Sequence, residues 1–184
     1  MRDLSLHILD LAQNSVRAQA SVVSLSLLLS EEGILTLLIE DDGCGMDEDL
    51  LSRVQSPFAT TRTTRKVGLG IPMMAENCRL TGGDLSIAST PGKGTRLTAT
   101  LNTASIDCLP LGDLAGTVVA LVSANPHQPD FTLLCRSIKG EMQFDTRQIR
   151  EVLQGVPLNE PEIIAWMMAS LQEEIQPIFG GVLL

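Results

Sequence analysis

The chain has 184 residues, of which 44% are hydrophobic and 3% aromatic, and it carries a net charge of −9. That length suits one domain, or one domain with a small second lobe, and the apolar share supplies a core built from Leu, Ile, Val and Met. Thirteen basic residues against 22 acidic ones exclude a broad nucleic-acid groove, which needs cations to displace counterions from phosphates.

In chain order, residues 4–18 read as a helix. Ile8, Leu11, Ala12 and Ser15 share a small or apolar face, beside a polar stripe of His7, Asp10 and Asn14. Residues 22–29 and 34–40 read as strands around the turn Glu31-Glu32-Gly33, a hairpin apolar enough along its length to be well buried. A glycine-rich turn over 41–46 follows, and Asp47 is placed to cap a short helix through 54. Residues 55–67 read as a loop with Pro57 and the cations Arg62, Arg65 and Lys66. A helix over 69–80 stops at Gly82-Gly83. Two more strands, 85–88 and 96–101, flank the turn Thr90-Pro91-Gly92-Lys93-Gly94. This order predicts a two-layer α/β sandwich, a mixed sheet with helices on one face.

Beyond a first domain over 1–103, residues 104–184 read as a small α+β C-terminal lobe. Residues 109–113 look like a connector, and 117–123, 131–137 and 140–144 like strands. Asp145 is placed to cap a helix ended by Gly155. Asn159 and Glu162 have the spacing of a capping box for a last helix to about 174. The lobe carries no catalytic motif and is expected to serve interaction. Cys44, Cys78, Cys108 and Cys135 are widely spaced with no C-x-x-C, which points to reduced thiols rather than a disulfide framework or zinc site. The N-terminus lacks the pattern of a signal peptide. No apolar run approaches the ~20 residues of a membrane helix. A cytoplasmic protein without membrane insertion is expected.

Five segments in fixed order carry the chemistry: His7-Ile8-Leu9-Asp10-Leu11-Ala12-Gln13-Asn14-Ser15, Asp41-Asp42-Gly43-Cys44-Gly45-Met46, Ser56-Pro57-Phe58-Ala59-Thr60-Thr61, Gly68-Leu69-Gly70-Ile71 and Gly92-Lys93-Gly94-Thr95. Asp10 and Asn14, at i and i+4, lie on one helix face. A carboxylate at a strand end, as at Asp41, can accept from an adenine amine, and Gly43 and Gly45 let the backbone approach the ring. Gly68 and Gly70 open a helix whose positive end suits phosphate. No G-K-[ST] follows them, so this is not a Walker loop.

Together these segments resemble a nucleotide site of the Bergerat type, the fold of the GHKL superfamily: DNA gyrase, the heat-shock chaperone ATPase, histidine kinases and the mismatch-repair ATPase. The resemblance implies ATP and Mg²⁺ as cofactors, with Asn14 ligating the metal through its amide oxygen. It implies that Asp10, standing where Glu is usual and one methylene shorter, positions or activates the nucleophile. It assigns the adenine contact to Asp41, with Thr95 sharing a water beside it and Met46 packing on the base. The stretch from Pro57 to Ile71 closely resembles the histidine-kinase pattern, in which a mobile lid joins the boxes. Thr61, Arg62, Arg65, Lys66, Gly68, Leu69 and Gly70 then lie on the phosphate side, with any of the three cations free to meet the γ-phosphate.

The histidines separate subclasses. His7 reads as a structural or outer-shell residue and His127 as a surface residue, so the phosphoacceptor is expected on a partner protein. The leading expectation is γ-phosphoryl transfer in trans, as in stand-alone anti-sigma-type kinases. An ATPase switch of gyrase or mismatch-repair type and a non-catalytic nucleotide sensor stay open beside it.

Overall fold

The computed structural model describes residues 2–55 and 69–181. Twelve elements follow one another: α1 (Leu4–Arg17), β1 (Val22–Leu29), β2 (Ile34–Asp41), α2 (Glu48–Gln55), α3 (Gly70–Leu80), β3 (Leu85–Thr90), β4 (Gly94–Asn102), α4 (Leu114–Ala124), β5 (Asp130–Ser137), β6 (Gly140–Asp145), α5 (Thr146–Leu153) and α6 (Pro161–Phe179). The six strands form one sheet in the order β3-β4-β2-β1-β5-β6. All neighbours are antiparallel except β1 and β5. That one parallel pair makes the sheet mixed, and the chain between β4 and β5 carries α4.

Side-chain parity explains why there are two layers. Val23, Leu25 and Leu27 of β1 are buried, as are Leu35, Leu37 and Ile39 of β2 and Leu97, Ala99 and Leu101 of β4. Register places Leu37 between Leu27 and Ala99, and Ile39 between Leu25 and Leu97, so the buried positions form continuous rows. The intervening residues, such as Ser24, Ser26, Thr36 and Leu38, are only half-buried. The β1–β2 hairpin is thus buried on one face rather than throughout, despite its apolar sequence. Each fully buried Leu on that face contributes about 1.5–3 kcal/mol of transfer free energy.

Local signals fix the helix ends. Asp3 caps α1, its carboxylate accepting from Leu6 N at 3.0 Å. Two further donors of the first turn, Leu4 N and Ser5 N, bond Pro110 O and Leu111 O of the connector at 2.9 Å each. Asp47 accepts from Leu50 N at 2.8 Å, and Asp145 caps α5 through Arg147 N at 2.9 Å. Beyond α3, Gly83 N reaches back to Cys78 O at 2.8 Å, with Gly82 in the left-handed region at φ +76°.

Two expectations are corrected. Residues 117–123 are not a strand but the body of α4, which Asp113 caps through Gly116 N at 2.8 Å. The run Thr117-Val118-Val119-Ala120-Leu121-Val122 is β-branched, yet Leu114, Ala115, Val118, Val119 and Val122 follow helical spacing and are buried. They pack between α1 and α6, so tertiary packing overrides strand propensity. The last helix is capped at Glu160 without a side-chain bond, starts at Pro161 rather than after Asn159, and runs to Phe179 with Pro177 inside it.

The sheet does not stop where the five segments stop. β5 adds to β1 through seven register pairs, from Val22↔Asp130 to Leu28↔Arg136. Phe131, Leu133 and Cys135 continue the buried rows, and Met167, Leu171 and Phe179 of α6 belong to the same core cluster.

Candidate functional site

The site is built where β2 and β4 end beside α1. Odd positions of β2 face the helices, so Ile39 and Asp41 point the same way. The register sets Leu97 opposite Ile39 and Thr95 opposite Asp41. The helix α1 adds Leu11, Asn14 and Ser15 within little more than one turn. These residues, with Met46, line a cavity of about 280 Å³. Val54 of α2, Ile71 of α3 and Ile87 of β3 complete apolar walls.

Asp41 is held from two sides. Ser15 Oγ donates to Oδ2 at 2.6 Å, and Gly43 N donates to Oδ1 at 3.0 Å. A carboxylate has about four lone-pair sites, so acceptor capacity remains toward the cavity. Thr95 is fixed through Ser89. Ser89 Oγ donates its single hydrogen to Gly94 O at 3.0 Å and accepts from Met46 N at 2.8 Å. The hydroxyl of Thr95, 2.9 Å from Ser89 Oγ, must then donate to it, which leaves Thr95 Oγ1 as an acceptor for a ligand or water.

The glycine-rich turn presses against the β3–β4 turn. Gly45 sits at φ +66°, and a Cβ there would come within 2.1 Å of Thr90 O. Only glycine allows both the left-handed backbone and that approach. Asp42, beside it, serves the scaffold: it accepts from Val22 N at 2.9 Å and Ser21 N at 2.7 Å. Those bonds, led by the one from Val22, hold its carboxyl below the usual range.

Asn14 and Arg17 also line the cavity. Arg17 Nη1 donates to Asn14 Oδ1 at 3.3 Å, and Arg17 is exposed. Asp10 lies outside the cavity wall. Its carboxylate is turned to the start of α3, where a Cβ on Gly70 would fall 2.0 Å from Asp10 Oδ2. The α3 N-cap, Leu69, makes no side-chain cap bond, and the positive end of the helix favours the neighbouring acid. His7, one turn before Asp10, is fully buried, and Asn77 Nδ2 of α3 donates to its Nε2 at 2.9 Å.

The structure therefore brings Asn14, Asp41, Gly45, Met46 and Thr95 into one cavity, and pairs Asp10 with Gly70 beside it. Gly43 is buried behind the turn, where it orients Asp41, and Leu69 is 62% exposed. Thr61, Arg62, Arg65, Lys66 and Gly68 lie outside the described residues. The sequence reading omitted Ser15 as a partner of Asp41, the apolar walls Ile39 and Leu97, and Arg17. Their signals were present: Ile39 and Leu97 share parity with Asp41 and Thr95, and Arg17 stands at i+3 from Asn14.

Asn14 and Arg17 suit a magnesium-bearing ligand. Mg²⁺ beside phosphates takes one or two side-chain oxygens and fills its other positions with phosphate and water. Asn14 Oδ1, in the wall and held among the described residues by the 3.3 Å bond from exposed Arg17, is such an oxygen. No helix among the described residues is long and apolar enough to cross a membrane.

Residues 2–105 match the model of the family described as histidine kinase-, DNA gyrase B-, and HSP90-like ATPases. That is more than half of the chain, and the chain belongs to this family. Its fold is the two-layer α/β sandwich of that family, and its first half is an ATP-binding domain of the histidine-kinase-like kind. Over 95 residues it is 36% identical to the sensor protein kinase FleS of Pseudomonas aeruginosa, covering 51% of this chain and 23% of FleS. It is 38% identical over 63 residues to the signal transduction histidine-protein kinase AtoS of Escherichia coli, covering 34% and 10% of the two chains. The sensor histidine kinase ZraS of Escherichia coli O157:H7 is 30% identical over 92 residues, covering 50% of this chain and 20% of ZraS. The chain thus spans at most about a quarter of the length of these curated relatives. A solved structure described as the N-terminal domain of a DNA repair protein aligns with a TM-score of 0.49 at 16% identity, over 79% of this chain and 52% of that one.

Proposed function

We propose that the cavity holds ATP with its adenine ring against Asp41 and its phosphates toward Asn14 and Arg17, and that the γ-phosphoryl group passes to a side chain of a partner protein. The observation that carries this reading is the lining of one cavity. An acid fixed by Ser15 and Gly43, a set of apolar side chains, and an amide beside a guanidinium all border the same space. A purine needs an acceptor for its exocyclic amine and apolar surface for its faces. A triphosphate needs cations and donors.

In this reading Met46 and Ile39 pack on the base, and Thr95 accepts from a water shared with the ring. Asn14 is the metal ligand. Bound there, Mg²⁺ would neutralise charge on the phosphates. Arg17 adds a second positive charge from the same helix, and the cations Arg62, Arg65 and Lys66 are proposed to add theirs. Asp10 orients the attacking group. Residues 104–184 serve as the interaction unit that selects the partner, in a cytoplasmic setting.

A second reading rests on Asp10. Its carboxylate abuts Gly70 rather than facing the cavity, which favours a nucleotide-responsive switch or sensor over a phosphotransferase.

The test has three arms. With Mg-ATP at a hundredfold excess over its Kd, linkage stabilises the fold by about 2.7 kcal/mol. γ-Labelled ATP with co-expressed proteins is expected to label one of them. Phosphate release from the pure protein, lost in Asp10→Asn, marks the ATPase switch instead. Binding with neither event marks the sensor, and absence of any Mg-ATP stabilisation removes all three.

A further inference from the structure

We infer that His7 and Asn77 form a clasp between α1 and α3 that sets the phosphate side of the cavity, making His7 a positioning residue for the triphosphate and not merely part of the core. This rests on the nucleotide reading above and deepens it.

The geometry is a two-point attachment between antiparallel helices. On α1, His7 and Asp10 are three residues apart, so they share a face one turn from each other. On α3, Gly70 and Asn77 are seven residues apart, two turns or about 10.5 Å of rise. His7 meets Asn77 through a hydrogen bond of 2.9 Å, and Asp10 meets Gly70 with no room for a Cβ between them. The first contact therefore fixes the tilt and height of α3, and the second is where that setting is felt. Ile71, next to Gly70, is in the cavity wall, as is Asn14, one turn beyond Asp10. A shift of α3 along α1 would alter the space between Asp10, Gly70 and Asn14 while leaving Asp41 and Thr95, which are strand-borne, in place.

The clasp is also the only side-chain hydrogen bond that α1 and α3 exchange among the described residues. Elsewhere on the two helices, Leu4, Ile8 and Leu11 of α1 and Met74 and Cys78 of α3 are all buried. Apolar contacts are non-directional, so they do not select one register of α3 on α1. A directional hydrogen bond does, because a slip leaves the fully buried His7 ring without this partner. The fold pays for this: His7 is 0% exposed, and its Nδ1 is buried without a partner among the described residues. A leucine would avoid that burden if packing were all that position 7 supplied.

The test measures two affinities, for Mg-ATP and for adenosine, in the full chain and in three variants. His7→Leu removes the clasp from α1, and Asn77→Ala removes it from the half-buried side of α3, with less risk to folding. His7→Gln keeps an acceptor near the place of Nε2. The clasp predicts that His7→Leu and Asn77→Ala weaken Mg-ATP about tenfold while adenosine stays within about twofold, and that His7→Gln recovers most of the loss. Parent-like Mg-ATP affinity in both disrupting variants, or an equal loss of Mg-ATP and adenosine, overturns the inference and leaves the nucleotide reading standing. A parent protein that binds neither ligand overturns both.

Discussion

The two halves of this sheet spend their polar groups differently. On the β2–β4 side, Asp41, Thr95 and Asn14 are each fixed by one or two neighbours yet keep capacity directed into a cavity. On the β5–β6 side, polar groups bond mainly to each other, with Arg150 Nη2 left buried and without a partner among the described residues. Asp130 accepts from Thr146 Oγ1 at 2.8 Å and from Arg150 Nε at 2.8 Å, while Arg150 Nη1 also donates to Pro126 O at 2.6 Å. Asp145 takes up Arg147, whose guanidinium holds the Asp145 carboxyl below its usual range. One half keeps acceptors open to a cavity, and the other turns its acceptors to neighbouring side chains. A shared sheet can support both because its buried rows run across it without interruption.

The largest expected effect tests that sharing. Phe131 is 1% exposed and lies opposite Val23 at the β1–β5 seam. Phe131→Ala is expected to cost about 3–5 kcal/mol. If the two halves form one cooperative unit, chemical unfolding followed by separate probes on each half shifts in a single transition. Two transitions, with the β2–β4 half unaffected, would break the comparison.

Asp41→Asn acts on one half alone. It keeps one oxygen for Ser15 or Gly43 but turns a donor toward an adenine amine. Titration is expected to give about 10- to 100-fold weaker Mg-ATP binding, with reduced preference for adenine over guanine nucleotides. The equivalent change at Asp145, Asp145→Asn, leaves Mg-ATP affinity at the parent's value and lowers only stability.

The smallest effect is a pH slope. Burial holds His7 below its ordinary value of 6.5, with Asp3 and Asp10 pulling the other way. The unfolded chain therefore takes up this proton at higher pH than the folded chain does. Stability falls as pH drops from 6.5 toward the lower folded value. In His7→Gln the decline over that window flattens, as read from chemical unfolding at a series of pH values.

Much of the first half was legible because local signals and packing agree there. Asp47 and the Gly82-Gly83 stop act within a few residues, and the predicted order of elements matches the observed one. That Asp41, Gly45, Met46 and Thr95 border one cavity was foreshadowed by the fixed order of the glycine-rich segments. The partnership of Ser15 with Asp41 was not, because it joins residues 26 positions apart in sequence. Arg17 was overshadowed by the cations of 62–66, although its helical spacing from Asn14 was visible. In the second half, α4 was misread because a β-branched apolar run of that length suits a buried strand as well as a helix. Only its burial between α1 and α6 decides the matter.

The most direct measurement of the central claim is an amide NMR titration of the full chain with Mg-ATP. The account predicts saturable shifts centred on Gly43, Cys44, Gly45 and Thr95, with further shifts at Asn14 and Arg17 that adenosine does not produce. Saturation without movement at Gly45 and Thr95, or no saturable change at all, would contradict it.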